Sequence, residues 1–171
     1  MCAVCPEVEA SGAITMTGSY GNPQYQNEYS VKRNSTIENF TIGVGGAELG
    51  GLAVFPFEFI AGGIDEEFKA NMGMIISESV AKRCNLSVGD LINNGRGAVN
   101  QAQRIISGIY KDFPKPSTIA HSEAYVIMPD AKPEDEHNWG QSYYVLLREG
   151  ASREEAEQRM LDYVKNDCEK R

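Results

Sequence analysis

The 171-residue chain has no run of about 20 apolar residues, the length a helix needs to cross a bilayer, so no segment reads as a spanning helix. It is poor in cations, with 16 Lys and Arg against 24 Asp and Glu and a net charge of -8. Nucleic-acid affinity rests on clustered Lys and Arg, and membrane-surface affinity on polybasic runs. The balance therefore argues against both partners and reads as solubility. Histidine is scarce, with only His121 and His137 present. The segment Met1-Cys2-Ala3-Val4-Cys5 lacks the cationic region and the long apolar stretch of a signal peptide. Taken by itself the chain reads as cytoplasmic; taken as a fragment, Met1 reads as an added start and the targeting segment is expected upstream, and composition does not separate the two.

Catalytic motifs are also missing. There is no G-x-S-x-G and no H-E-x-x-H. His121-Ser122 and Glu136-His137 are neighbours in sequence, and neighbours rarely form a triad. Gly45 to Gly51 has the glycine spacing of a phosphate loop but lacks the Lys and the Ser/Thr such a loop needs, and Glu48 would repel phosphate. It reads as a flexible or close-packed joint. Glu66-Glu67 and Glu154-Glu155 read as solvated faces and a helix start. No cofactor is expected.

Four cysteines remain. Cys2 and Cys5 form a C-x-x-C, but a redox pair needs a helix N-terminus behind a strand to lower the thiol pKa, and a structural zinc site needs four ligands. Cys84 and Cys168 lie on apolar helical faces and read as packed thiols.

Apolar residues make up 42% and charged residues 23%, enough for a buried core in one domain. Alternation predicts strands at Val8 to Thr17 and Tyr25 to Arg33, joined as a hairpin by the turn cluster Gly18 to Pro23. Further strands are expected at Ile37 to Val44, Gly73 to Ile76, from Leu91, Gln103 to Tyr110, Ala124 to Met128 and Ser142 to Arg148. Ala61 to Asp65 reads as a turn. Ser77 opens a helix through about Cys84. Ser152-Arg153-Glu154-Glu155 predicts a capping box in which Glu155 reaches back. The helix it opens carries an apolar stripe of Ala156, Met160, Val164 and Cys168, widened by Leu161. Phe55-Pro56-Phe57-Glu58-Phe59-Ile60 is the strongest non-catalytic feature. Packed inside, Phe55, Phe57 and Phe59 are core; exposed in part, they form a contact for a partner subunit or hydrophobic ligand.

In order along the chain, several segments resemble the extracytoplasmic core domain of MacB/FtsX-type ABC transporter permeases. They are Cys5 to Ala10, Leu52 to Gly63, Met74 to Arg83, Val88-Gly89-Asp90-Leu91-Ile92, Ile106 to Phe113, and Tyr143 to Leu147 followed by Gly150-Ala151-Ser152 and a helix. They span about residues 5 to 165. Gly63 stands where the family often has Arg, and the Pro114-Lys115-Pro116 loop and the acidic loop around Glu134 depart from it.

The resemblance implies an α+β fold of mixed and antiparallel sheets, with β-α-β porter-like units and an inserted β-rich subdomain. The single core domain over 1-171 would have porter-like parts at about 1-60 and 118-171 and an insert at about 61-117. It implies a non-catalytic domain on the periplasmic side of the cell membrane. Its partners would be the parent permease's membrane helices, a cytoplasmic ATPase subunit and a periplasmic protein or cargo, with a dimer in the full-length protein. Two other readings stay open: a free-standing periplasmic binding module, and a small thiol redox protein using Cys2 and Cys5.

Overall fold

The computed structural model describes residues 5–15, 27–95, 103–114, 122–128 and 142–168. In chain order the elements are β1 (Val8–Thr15), β2 (Asn27–Arg33), β3 (Thr36–Ile42), β4 (Val44–Ala47), α1 (Leu49–Val54), β5 (Phe59–Gly62), α2 (Glu66–Lys69), β6 (Gly73–Ser77), α3 (Glu78–Arg83), β7 (Leu91–Asn94), β8 (Gln103–Tyr110), β9 (Ala124–Ile127), β10 (Ser142–Leu147) and α4 (Arg153–Cys168). The strands join one sheet in the order β10-β1-β4-β9-β6-β8-β7-β2-β3, with β5 added on β8. β4 with β9 and β6 with β8 run parallel, and the other pairs are antiparallel. This is the mixed α+β arrangement expected from the sequence.

The reason lies in β6. All five of its residues are buried, as befits a strand covered on both faces. Met74 and Ile76 join Val80, Ala81 and Ile106 on the side of α3. Ile75 points the other way, into a cluster with Leu52 of α1 and Phe68 of α2. The period of two thus builds two cores on one strand.

α3 starts where the sequence placed it. The Ser77 hydroxyl accepts from the Val80 amide at 3.4 Å, Glu78 occupies the first turn and Lys82 and Arg83 the last. These charges suit the helix dipole. The Arg33 guanidinium donates to the carbonyls of Cys84 and Asn85 at the helix end.

Arg83 reaches Glu123 at 2.5 Å and the Thr41 carbonyl at 3.1 Å, while Glu123 accepts from the Gly43 amide at 2.8 Å. This clip ties α3 to the β3–β4 junction and to the start of β9. Burial pushes the Glu123 carboxyl up, but the Arg83 hydrogen bond, the Gly43 amide and the Arg83 charge together hold it below its ordinary value. A depressed carboxyl contributes stability that is present above its unfolded pKa and lost as pH falls through its folded pKa. Glu123→Gln is expected to cost about 1–2 kcal/mol at neutral pH and to flatten the loss of stability below about pH 4.5. Urea titrations at pH 7 and pH 3 check this; equal losses at both would contradict it.

Two expectations need correction. β1 and β2 do not form a hairpin: β1 pairs with β10 and β4, and β2 pairs with β3 and β7. The hairpin is β2–β3, turned at Asn34 with φ 54°, a left-handed conformation that Asn tolerates better than most residues. Ala61 and Gly62 belong to β5, and Glu66–Lys69 is a helical turn started by Asp65, whose carboxylate accepts from the Phe68 amide at 2.9 Å.

The glycine-rich segment is a close-packed joint and not a flexible one. Gly45 and Gly46 lie within β4, and Gly50 and Gly51 within α1. A Cβ on Gly12 of β1 would sit 2.2 Å from the Gly51 nitrogen, and one on Gly50 2.1 Å from the Ser11 carbonyl. Helix and strand touch backbone to backbone, which only glycine permits.

Candidate functional site

No helix among the described residues is long and apolar enough to cross a membrane. Two places gather the residues singled out by sequence. The first is the aromatic segment between α1 and β5. Pro56 ends α1, and the Phe57 amide donates to the Phe55 carbonyl at 2.9 Å, turning the chain tightly. The Phe57 ring then meets Tyr110 at 5.1 Å, Phe113 at 5.0 Å and Tyr125 at 5.6 Å, all edge-on. Edge-to-face contact puts the positive ring edge on the negative face. Phe55 meets Tyr144 of β10 edge-on at 4.9 Å, and Phe59 stacks on Phe57 at 6.3 Å. All three phenylalanines pack on the same cluster as Ile75 and Leu52, and each keeps part of its surface in solvent.

Phe59 pairs with Tyr110 and Ala61 with Ile109, leaving Ile60 as an extra residue in the ladder. Such a bulge re-aims a side chain, and Ile60 is 52% exposed. Glu58 and Lys111 pair at 3.1 Å at the edge of this segment. The two tyrosines beneath are structural. Burial pushes the Tyr110 phenol well above its ordinary value, and Tyr125 to about 12. Both stay protonated at neutral pH, and the Tyr110 hydroxyl donates to the Ser122 carbonyl at 3.2 Å.

The second place is where Cys5, Pro6 and Glu7 meet β10 and α4. Glu7 pairs with Arg159 of α4 at 2.8 Å. The Arg148 side chain donates to the Pro6 carbonyl at 3.0 Å, and its amide to the Glu7 carbonyl at 2.8 Å. Cys5 is buried with Val8 and Ala156, and its thiol donates to Glu7 at 3.2 Å. Burial and the adjoining carboxylate push that thiol up, the reverse of the electropositive setting a reactive thiolate needs. Cys2, His121 and His137 lie outside the described residues. Cys84 is buried at the end of α3, as a packed thiol should be.

Sequence reasoning missed one polar constellation. Ser79 donates its hydroxyl to Asp112 at 2.9 Å and stands 3.1 Å from the Ser77 hydroxyl. The signal was present in the Ser-x-Ser at a helix start, but Asp112 is 33 residues further on. The arrangement ties α3 to the end of β8. Among the described residues no group of three or more His, Cys, Asp or Glu side chains could hold a metal ion.

α4 begins as predicted at Ser152, whose oxygen accepts from the Glu155 amide at 3.2 Å. The carboxylate joined to that hydroxyl is Glu154 at 3.2 Å and not Glu155. The predicted stripe is only half used. Ala156 is buried and Met160 packs against its cluster, but Leu161 is 54% and Val164 56% exposed. The Cys168 side chain lies outside the described residues.

The MacB-like periplasmic core domain matches residues 3–163, nearly the whole chain. The chain belongs to that family. Among solved structures it is similar to a domain of a protein described as a permease from Porphyromonas gingivalis, with TM-score 0.72, 25% identity and coverage of 95% of this chain and 71% of that one. It is also similar in fold to the extracellular domain of YknZ, a noncanonic ABC-type transporter from Gram-positive bacteria, with TM-score 0.54, 16% identity and coverage of 92% and 73%. No curated protein matches. For this MacB-like domain, the fastened segments at Glu7–Arg159 and the aromatic segment at Phe57 are the two features of functional interest.

Proposed function

We propose that this chain is the extracytoplasmic domain of an ABC-type permease, that it is not catalytic, and that it relays conformational change between membrane helices and a periplasmic partner. The family match over residues 3–163 carries the reading. The joining of Cys5–Glu7 to α4 supports the mechanical part, because a displacement of either segment is passed to the other. ATP hydrolysis belongs to a separate subunit in this reading, and the full-length protein is a dimer. Porter-like parts at about 1–60 and 118–171 carry the motion, and an insert at about 61–117 modifies it.

The partner contact is assigned to the rim of the aromatic segment, with Phe55, Phe57 and Phe59 as its foundation and Ile60 as its exposed tip. Apolar side chains held outward by a bulge on a rigid base are suited to burial against another protein. Ile60→Asp should leave the urea midpoint within the range of about 0.5 kcal/mol usual for surface changes while weakening partner binding about tenfold or more.

The reading is tested in the intact permease with its ATPase. Spin labels at Gly63 and Leu161 should report a distance that changes between the nucleotide-free and ATP-bound states. Identical distances in both states would remove the mechanical role.

A further inference from the structure

α4 differs from the other helices in how little holds it. Among the described residues, only Ala156 and Met160 of α4 enter a hydrophobic cluster, the small one containing Cys5, Val8, Val145 and Leu147. Leu161, Tyr163 and Val164 are all more than half exposed. α3, by contrast, sends Val80 and Ala81 into the larger core on β6 and is clipped at both ends. The chain enters α4 through Gly150, at φ 77°, where a residue other than glycine would be strained. What secures the helix besides the small cluster is a pair of polar ties to Cys5–Glu7: Arg159 to Glu7 at 2.8 Å, and the Cys5 thiol near the Ala156 carbonyl at 4.0 Å. Arg148 holds Pro6 from just beyond β10, on the sheet's side of Gly150.

Local opening is drawn from elements with few buried apolar contacts. We infer that α4 is a releasable lever: it swings away from the β1–β10 end of the sheet as a unit about Gly150, latched by Glu7–Arg159, while the sheet stays folded. The lever would serve the relay role proposed above. The experiment below asks only whether α4 releases in the isolated chain, so either idea can fail without the other.

Cys5 reports the release directly. It is 1% exposed beneath Ala156, whereas Cys84 is 7% exposed in the core between α3 and β6. In a Cys2→Ser/Cys168→Ser background, both remaining thiols are tested with a chromophoric disulfide reagent under native conditions. Cys5 should react at least tenfold faster than Cys84 despite its lower exposure. Arg159→Ala should speed Cys5 labelling roughly two- to fivefold, the worth of an exposed ion pair, and leave Cys84 unchanged. Loss of the Arg159 charge acts on the thiol in the opposite sense, since that cation lowers the Cys5 pKa. Faster labelling therefore reports opening and not thiol chemistry. Arg159→Lys, which keeps a cation opposite Glu7, should return the rate toward that of the parent. Cys5 and Cys84 reacting at equal rates, or changing in step across the variants, would mean that α4 opens only with the whole domain and would overturn the inference.

Discussion

Gly12→Val is expected to destabilise the domain by about 3 kcal/mol or more, at the upper end of what overpacking costs. At this position a Cβ meets the Gly51 nitrogen at 2.2 Å and the Gly50 carbonyl carbon at 2.7 Å. Both are backbone atoms of α1, so no rotamer change can make room. α1 would have to lift off β1, taking Leu52 out of its cluster with Ile14 and Ile75. Gly63→Val is the control. A Cβ there meets nothing within 4 Å, and the change should stay within about 0.5 kcal/mol. Urea unfolding of the two variants, read at constant m-value, separates a steric cost at one site from a general cost of losing glycine. Similar midpoints for both would refute the close-packed joint.

Phe57→Ala should cost about 3 kcal/mol, the low end for removing a phenylalanine ring from a core, because part of the ring reaches solvent. Its ring is shared by Tyr110, Phe113, Tyr125 and Phe59, so truncation opens a void that four aromatic neighbours cannot close in their present rotamers. Edge-on pairs add roughly 0.5–1.5 kcal/mol beyond area alone. Phe55→Ala should cost less, since Tyr144 is its one ring partner among the described aromatic contacts. A Phe57→Ala variant as stable as the parent would mean that the ring belongs to a contact surface and not to the core. Together with Ile60→Asp, this divides the segment into a supporting part and an outward part by experiment.

Much of this division was legible in the sequence, and the limits follow from the range of the forces involved. Ser77 and Ser152 were readable as helix starts because a cap is a local contact over three residues. β6 was readable as a buried strand because Gly73 to Ile76 has no solvated face. Cys84 was readable as a packed thiol because it falls one turn after Val80 on the apolar face that α3 turns to the core. The Phe55–Ile60 segment was visible, but whether its rings faced in or out depended on Tyr110, Phe113, Tyr125 and Tyr144, all brought from elsewhere in the chain.

The β1–β2 hairpin failed on pairing. Alternation identifies a strand, but says nothing of its neighbours. β1 instead receives β10 from the far end of the chain, in a register from Val8 opposite Leu147 to Ile14 opposite Ser142. The glycine run left two readings open. Glycine marks both freedom and close approach, and only the position of α1 against Gly12 decides between them.

By itself, the sequence determined the class of this protein: an acidic α+β domain, without a spanning segment or a recognisable catalytic motif, in the order of elements of a MacB-like periplasmic core domain. Those properties reside in composition, period and local capping. Tertiary structure alone decided that Cys5–Glu7 is fastened to α4, that Phe57 packs among four aromatic rings while Ile60 stands exposed, and that Leu161 and Val164 of the α4 stripe stay largely in solvent. An ion pair between Glu7 and Arg159 spans 152 residues. No periodic pattern encodes a contact at that separation, because it depends on the sheet setting β1 beside β10.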